Sequence, residues 1–365
     1  MKRLTAATRA EVEQRRAEKL AELEQVSPTP SQFSRDTTVA ELIDWWLNSI
    51  ARHQVKASTY DSYRRFGGYF KTQLGSRAVV DVRAETLIAW QANQLDRHAP
   101  LTVLNSRKVA RQAFSEAVKL DLIPANPFDL VRAPRAQRVN AGRALAPDDA
   151  KKLILAAQQF RLGATVTLLF CQGWRVSEVL GLAWEDLDLE ASTAHIQRGA
   201  TYSPSTGTVL GQTKTSGAQG VHFLAPASVV HLREHKARNE AERETFGLAW
   251  PTHSFEGQRL SMVFTTSDGS LVNRQSVVHT IERAARAAGL DPTGLATHTG
   301  RRTVITALYA NGGLDLADIA RHVGHVDTAT TAEYVRSLGT RPQDTARRAA
   351  ELLDPTLSTD QPDEP

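Results

Sequence analysis

The sequence predicts a mainly α-helical protein that contains one small antiparallel β-sheet. Over most of residues 37–353, apolar side chains recur every three or four positions, which is the period of a helix with one buried face. Residues 194–224 differ, because short β-prone runs alternate there with clusters of Gly, Ser, Pro and Thr. We therefore expect helical units with a single β-rich insertion.

Length and composition fit a globular protein of two or three domains. The chain has 365 residues, of which 41% are hydrophobic and 23% are charged. No apolar run approaches the roughly 18–20 residues that span a bilayer, and the charged N-terminus does not resemble a secretory signal. The single cysteine, Cys171, cannot form an internal disulfide, and no Cys/His cluster has zinc spacing. We expect a cytoplasmic protein without a metal or other cofactor and without a membrane partner.

The net charge gives a weak indication of an anionic partner. The formal charge is +4 and the pI is near 9.2. Residues 354–365 carry four acidic and no basic side chains, so the net +4 corresponds to about +8 on the rest. This balance favours a polyanion without identifying one.

Residues 1–36 are expected to be a charged helix and a linker. The helix, residues 1–25, has nearly cancelling charges, a pattern typical of a solvated helix. A Pro- and Ser-rich stretch, residues 26–32, follows and reads as a linker.

Residues 37–132 are expected to form a small unit of four helices. Thr38 and Glu41 make a capping-box pair, and apolar residues follow them at helical spacing. The outer face of the fourth helix, residues 101–120, carries basic side chains. Either this face is simply solvated, or it lies along DNA phosphates. The basic residues are Arg107, Lys108 and Arg111.

A second linker, residues 133–146, has regularly placed arginines. Pro134, Gly142 and small residues favour an extended chain. A basic strap of this kind suits a protein that closes around a duplex; an ordinary linker with solubilising charge is the alternative. The arginines are Arg135, Arg138 and Arg143.

Residues 147–354 are expected to form the third unit, and residues 355–365 an acidic, disordered tail. Residues 245–262 look irregular and suggest no function. The predicted strands are 194–197, 208–214 and 220–224, and the predicted helices are 147–159, 161–172, 176–183, 227–244, 273–288, 300–311, 314–323, 328–336 and 342–353.

Six residues in this unit are candidates for chemistry. Each by itself is weak evidence, since an arginine is usually a surface residue, a histidine can cap a helix and a tyrosine is usually a core residue. They are Arg175 in Gln-Gly-Trp-Arg-Val-Ser-Glu, Lys214 in Lys-Thr-Ser, His298 and Arg301 in His-Thr-Gly-Arg, His325 in Gly-His, and Tyr334 nine residues later.

Together they resemble the tyrosine recombinase family, the phage-integrase type of site-specific recombinase. Arg175 stands in a stretch close to the first arginine box of the family, and Lys214 resembles its β-turn lysine. His298-Thr-Gly-Arg301 matches the His-x-x-Arg box, and Gly-His325 with Tyr334 matches the Leu-Gly-His…Tyr box. The resemblance covers about residues 37–353. It implies a four-helix, SAM-like core-binding domain at 37–132 and an α+β catalytic domain at 147–354.

Small departures from the family boxes leave every reacting group in place. Gln172 and Trp174 vary the first box. Thr299-Gly300 and Arg302 replace the more usual Asp-Leu and His around the second, and Val323 replaces Leu. We therefore expect an active enzyme.

The residue types suit attack on a phosphodiester. Two guanidiniums, from Arg175 and Arg301, can hold the non-bridging oxygens of the pentacovalent dianion, and oriented donors of this kind are worth roughly 10²–10³ in rate each. Tyr334, with an ordinary pKa near ~10, needs a base or a positive field to act as a nucleophile. The resemblance implies that His298 accepts its proton, that His325 donates to a phosphate oxygen and that Lys214 protonates the leaving 5′-oxygen.

The resemblance further implies an integrase of a phage or integrative element. Its expected partner is double-stranded DNA carrying attachment-type sites. It would be a monomer when free and a homotetramer on DNA at the nucleoid, with an accessory bending or directionality factor. The last helix would dock into a neighbouring protomer, packing within its own subunit being the alternative.

Two other functions stay open at this point. A host chromosome-dimer resolvase has the same chemistry, although such proteins usually start directly at the core-binding domain. Residues 1–36 count against it, but are too short for a complete arm-binding domain. A catalytically inactive DNA-binding or architectural protein is the third possibility, and the complete set of six residues argues against it.

Overall fold

The computed structural model of the chain describes residues 33–135, 143–213, 220–311, 314–324 and 331–332. Contacts divide the chain into two compact units, Met1–Gln137 and Arg138–Pro365, here called unit one and unit two. The division falls inside residues 133–146, the stretch predicted as a linker. The helices predicted at 1–25 and 342–353 lie outside the described residues.

Within residues 33–135, unit one contains four main helices, as the apolar periodicity predicts. The first begins with the predicted capping box, in which Thr38 Oγ1 accepts from the Glu41 amide at 3.3 Å and the Thr38 amide donates to the Glu41 carboxylate at 2.8 Å. It continues through a π-helical turn, Leu47–Ala51, and a short turn, Arg52–Gln54. The helices are α1 (Val39–Trp46), α2 (Ala57–Leu74), α3 (Ala84–Leu95) and α4 (Pro100–Lys119).

Aromatic side chains fill the core of unit one. Phe70 lies at the centre, with its ring centroid 4.7 Å from Trp90, 6.2 Å from Phe114 and 5.7 Å from Phe128. All four are almost fully buried. Offset and edge-to-face ring pairs of this kind stabilise a core beyond the area they bury.

The expectation that Arg107 lies on the outer face of α4 is wrong. The side chain is buried, with 6% of the residue exposed, and Nη2 donates to the Phe128 carbonyl at 2.8 Å and to the Val131 carbonyl. Position 107 falls on the apolar side of the helix, and the guanidinium is accommodated there because backbone carbonyls of residues 128 and 131 accept its hydrogen bonds. Lys108 and Arg111 are exposed as expected, and Arg111 pairs with Asp129 at 2.6 Å.

Unit two is built around a buried helix, whose apolar sequence packs against five other helices. The helices of this unit are α5 (Pro147–Ala157), α6 (Gly163–Cys171), α7 (Val176–Leu180), α8 (Pro226–Phe246), α9 (Arg274–Ala287), α10 (Thr297–Asn311) and α11 (Leu316–Val323). The buried helix is α6, in which residues Gly163–Phe170 are all buried. Helices α5, α7, α8, α9 and α10 contact it.

The β-rich insertion differs from the single sheet that the sequence predicts. The first and third predicted strands pair with each other, but the second pairs with residues 198–203, for which no strand was predicted. The predicted irregular stretch 245–262 also contains a short hairpin. The strands are β1 (Leu187–Asp188), β2 (Thr193–Ile196), β3 (Arg198–Ser203), β4 (Gly207–Gln212), β5 (Gly220–Phe223), β6 (His253–Phe255) and β7 (Gln258–Leu260).

These strands form three small antiparallel sheets. One has three strands in the order β1-β2-β5, and the others are the hairpins β3-β4 and β6-β7. Arg198, the first residue of β3, fastens this region to α7: it pairs with buried Asp186 at 2.6 Å and donates to the Gly181 carbonyl at 3.3 Å. In the described ranges, no helix combines the length and apolar character that crossing a membrane requires.

Candidate active site

A sharp turn after α6, residues 172–175, carries the first predicted site residue. Gly173 adopts a φ of +67°, and a Cβ there would lie 3.1 Å from Val323 and 3.3 Å from Val304. Both the backbone conformation and the close packing favour glycine. Trp174 is buried, so the turn is anchored on both sides and delivers Arg175 to the start of α7.

Arg175 is held in place by Glu178. The guanidinium Nη1 lies 2.7 Å from Glu178 Oε1, and the Arg175 amide donates to Oε2 at 2.8 Å. The Glu178 side chain is 4% exposed, whereas 23% of the Arg175 side chain is accessible. The glutamate therefore orients the guanidinium from the protein side, while part of Arg175 still faces solvent.

Arg301, on α10, is fastened to the same turn. It is 2% exposed, and Nη1 donates to the Gly173 carbonyl at 3.1 Å. Gly173 precedes Arg175 by two residues, so this hydrogen bond couples the position of the second arginine to that of the first. Residues 128 positions apart in sequence are thereby joined at one backbone carbonyl.

Gly300 explains one departure from the family box. A Cβ at this position would lie 2.7 Å from the carbonyl carbon of Leu169 on α6, and closer still to its oxygen. Since real Cβ atoms do not approach backbone so closely, α10 crosses α6 at a distance that only glycine allows. Because Arg301 is the next residue, this close contact fixes the position of Arg301 relative to the turn at Gly173.

His298 lies among four arginines. Its side chain reaches the surface, yet partial desolvation of the imidazole lowers the pKa below its ordinary value, and the positive charges of Arg274, Arg301, Arg302 and Arg175 lower it further. His298 lies one helical turn before Arg301 on α10, and Arg301 is bound to the turn that carries Arg175, so three of the six predicted residues belong to one cluster. A neutral imidazole in such a field can accept a proton at neutral pH.

The other three predicted residues, Lys214, His325 and Tyr334, lie outside the described residues. Their neighbours in sequence are placed. Strand β4 ends two residues before Lys214, and α11 ends at Gly324, whose φ of +69° makes a left-handed cap. Thr331 is helical and fully buried.

Sequence reasoning missed two histidines at the turn. The ring of His322, on α11, donates a hydrogen bond to the Cys171 carbonyl. Desolvation of the ring lowers the pKa of His322 below its ordinary value, and the nearby His222 and Arg301 lower it further. The His222 ring, on β5, packs edge-on against Trp174 with centroids 5.5 Å apart. Neither histidine belongs to a motif. The sequence indicated a role only for His322, and only because it lies three residues before His325.

The structure describes two of the three linker arginines, and their surroundings differ. Arg135 is exposed, and Arg138 lies outside the described residues. Arg143 donates from Nη1 to the Asp291 carbonyl at 3.1 Å, so it is bound to the surface of unit two. Among the residues with described positions, no cluster of three or more His, Cys, Asp or Glu could hold a metal ion.

Buried Arg301, partly exposed Arg175 and the imidazole of His298, whose pKa is lowered, make an arrangement that can bind the oxygens of a phosphate. Guanidiniums offer planar forks of donors that match phosphate oxygens, and here two of them are fixed before any ligand arrives. Pre-oriented donors need no reorganisation as charge develops, which is the main source of electrostatic catalysis.

Comparison with known proteins agrees with this chemistry. Residues 143–341 match the phage integrase family. A XerC-like tyrosine recombinase of Caldanaerobacter subterraneus subsp. tengcongensis is 22% identical over 317 residues, covering 82% of this chain and 78% of the relative. An integrase of Streptomyces ambofaciens is 26% identical over 314 residues, covering 82% of this chain and 76% of the relative.

A solved structure has the same fold. The Tn1549 transposon integrase, in complex with a circular intermediate DNA, superposes with a TM-score of 0.69 at 20% identity, covering 87% of this chain and 99% of the other. The predicted mainly helical fold with a small amount of antiparallel β-structure is thereby confirmed, although the strands form three sheets and not one. Since the family match spans more than half of the sequence, the chain belongs to the phage integrase family of tyrosine recombinases, enzymes that cut and rejoin DNA.

Proposed function

We propose that this enzyme cuts and rejoins DNA at attachment-type sites through a covalent 3′-phosphotyrosine on Tyr334, and so integrates or excises a mobile element. The observation that supports this most is the hydrogen bond from Arg301 to the Gly173 carbonyl. It ties the second guanidinium to the turn that carries Arg175, beside the imidazole of His298.

In the proposed cleavage step, the Tyr334 oxygen attacks the phosphorus and its proton passes to His298. Arg175 and Arg301 bind the non-bridging oxygens, where negative charge develops. The bond from phosphorus to the 5′-oxygen breaks, and Lys214 supplies the proton that the leaving oxygen takes up.

Rejoining reverses this step with the 5′-hydroxyl of another strand. The phosphotyrosine bond replaces the phosphodiester bond one for one, so rejoining requires no ATP. In this proposal His325 donates to a phosphate oxygen throughout, and the charge neutralisation otherwise expected of Mg²⁺ comes from the arginines.

Exchange between two duplexes cuts four strands, and each protomer contributes one Tyr334. A homotetramer on DNA is therefore the assembly that the chemistry requires, and we propose that a free monomer assembles on its sites at the nucleoid with an accessory DNA-bending or directionality factor. The exposed basic residues Lys108, Arg111, Arg135 and Arg143, with Arg138, are proposed to contact backbone phosphates. Arg107 is withdrawn from this set because it is buried.

The alternative within the family is resolution of host chromosome dimers. The similar proteins include both an integrase and a XerC-like recombinase. Sequencing the DNA that becomes covalently trapped separates the two, because an integrase recovers the ends of a mobile element, whereas a resolvase recovers a chromosomal site.

The test uses nicked suicide duplexes, in which a short strand diffuses away after cleavage and traps the adduct. A degenerate pool is incubated with the protein in EDTA, covalent complexes are recovered under denaturing conditions, and the enriched sequence serves as substrate. We expect an adduct with the unaltered chain and none with Tyr334→Phe, which should bind the same DNA with unchanged affinity.

Two results would overturn the proposal. An adduct that persists in Tyr334→Phe contradicts the choice of nucleophile. DNA binding without any adduct from the unaltered chain would instead support an inactive DNA-binding protein.

A further inference from the structure

A fourth element, the start of α9, contributes a basic side chain to the edge of the site. Arg274 is the first residue of this 14-residue helix. Its Nε donates to Thr297 Oγ1 at 3.2 Å, and Thr297 is buried and directly precedes His298. The helix itself is firmly placed, since Val277, Ile281 and Ala284 are fully buried. Arg274 is thus held by a rigid helix and a buried hydroxyl.

The rest of the Arg274 guanidinium is available to a ligand. The residue is exposed, and within the described part of the chain its Nη groups make no hydrogen bond or ion pair. A cation on a surface normally lies near an acidic side chain or in bulk solvent. The guanidinium of Arg274 is instead bound to Thr297, next to the imidazole of His298, which already has other arginines around it. The positive charge of Arg274 contributes to the lowered pKa of that imidazole.

The contrast between Arg274 and Arg301 indicates two different phosphates. Arg301 is 2% exposed and bound to the Gly173 carbonyl, so it belongs to the floor of the site. Arg274 is exposed, so it belongs to the rim. A DNA strand carries a phosphate every ~3.4 Å along the helix axis, so a strand whose scissile phosphate occupies the floor passes further phosphates across the rim.

We infer that Arg274 binds a phosphate adjacent to the scissile one on the cleaved strand, and so positions that strand over Arg175, Arg301 and His298. The inference rests on the proposed function. Hydrogen bonding of Nε to Thr297 fixes the plane of the guanidinium, leaving the two Nη groups as a fork that matches the oxygens of one phosphate. Arg274 is a positioning residue in this account, because it does not touch the reacting atoms.

The test pairs protein variants with substrates that carry a neutral methylphosphonate at one position. In the enriched nicked duplex, the phosphate immediately before the scissile one and the phosphate immediately after it are replaced, one in each substrate. Single-turnover adduct formation is then measured for the unaltered protein, Arg274→Ala and Arg274→Gln. The glutamine can still donate to Thr297 but has no charge, so it separates phosphate binding from support of the fold.

We expect both variants to lose about 10- to 100-fold in rate at subsaturating DNA, the worth of a charge-assisted hydrogen bond. One methylphosphonate should slow the unaltered protein by a similar factor and cause little further loss in either variant. The slope of log affinity against log salt should fall by about 0.9 in magnitude, as for one lost phosphate contact. Arg274→Lys should restore the salt slope but only part of the rate, because an ammonium lacks the fork.

Arg286→Ala is the matched control. Arg286 is exposed on the last turn of the same helix, and its removal changes the net charge equally. It should behave like the unaltered protein in rate and salt slope.

Two outcomes would overturn the inference while leaving the proposed function intact. Arg274→Ala and Arg274→Gln could match Arg286→Ala in rate and slope. Alternatively, their losses could multiply with that of every methylphosphonate tested, which would mean that Arg274 acts independently of those phosphates. If the unaltered protein forms no adduct on any nicked duplex, the proposed function itself fails.

Discussion

Replacing Gly300 by alanine should displace the helix that carries His298 and Arg301. The added Cβ would lie 2.7 Å from the Leu169 carbonyl carbon, and the obstacle is backbone of a buried helix that cannot turn aside as a side chain could. Helix α10 must therefore move away from α6. Because Arg301 is the next residue, its bond to the Gly173 carbonyl is strained by the same movement.

The cost follows from packing and helix propensity. Overpacking a core costs about 1–3 kcal/mol, and contact with backbone places this site near the upper half of that range. Alanine recovers about 1 kcal/mol of helix propensity, which leaves a net loss of about 1–2 kcal/mol. For a unit of this size, the melting temperature should fall by about 2–8 °C. A displacement of about 1 Å at the site can lower the rate of chemistry by as much as ~10²-fold.

The measurements are the thermal unfolding of each unit, followed separately, and the rate of adduct formation. Gly68→Ala is the control, since Gly68 is also within a helix, α2, but nothing lies within 4 Å of its added Cβ. Gly68→Ala should gain helix propensity without a steric clash, so its melting temperature should rise, whereas that of Gly300→Ala should fall. If Gly300→Ala melts and reacts like the unaltered chain, the close crossing of α10 and α6 does not set the site.

Three further predictions concern single side chains. The pKa of His298 in the folded chain is lowered from 6.5, so NMR titration of its ring should show a midpoint below 6.5. The folding stability linked to this group is present above pH 6.5 and is lost as the pH falls below that value. A midpoint above 6.5 would contradict the arginine cluster around His298. Asp186→Asn keeps a hydrogen-bond acceptor in the side chain at position 186 but removes the negative charge that balances Arg198, whose side chain is 2% exposed. Urea unfolding should show a loss of about 3–5 kcal/mol, whereas a loss below about 1 kcal/mol would show that the pair is dispensable. His322→Leu removes the bond to the Cys171 carbonyl and should slow adduct formation about threefold to tenfold at unchanged DNA affinity; an unchanged rate would refute a positioning role.

The sequence predicted features that depend on neighbouring residues. The capping box of Thr38 and Glu41 and the extent of α9 are local, because a helix cap and its stop lie within a few residues of the bonds they make. Local motifs in a fixed order likewise selected Arg175, His298 and Arg301, whose part in catalysis stays a prediction.

Features that depend on distant partners were missed. Arg107 binds carbonyls of residues 128 and 131, and only the folded chain brings them to α4. A signal was nevertheless present, since position 107 is four residues after buried Val103 and three before buried Ala110. The helical spacing therefore placed Arg107 on the buried face, but its positive charge led to the prediction that it is exposed.

Strand β3 and Arg274 had no comparable signal. The sequence of β3, Arg-Gly-Ala-Thr-Tyr-Ser, lacks a β-prone alternation, and pairing with β4 decides its conformation. Arg274 lies outside every family box, and only the packing of α9 near α10 places it beside His298. Close crossings such as that at Gly300 also require the tertiary structure.

The central claim is that the phosphate held by Arg175 and Arg301 becomes covalently bound to Tyr334. Trypsin should release Tyr334 in the peptide His322–Arg336, where it is the sole tyrosine. Mass spectrometry of the nuclease-trimmed adduct should locate the nucleotide 3′-phosphate on Tyr334 in this peptide. A phosphate found instead on Tyr202, Tyr309 or a serine would contradict the account.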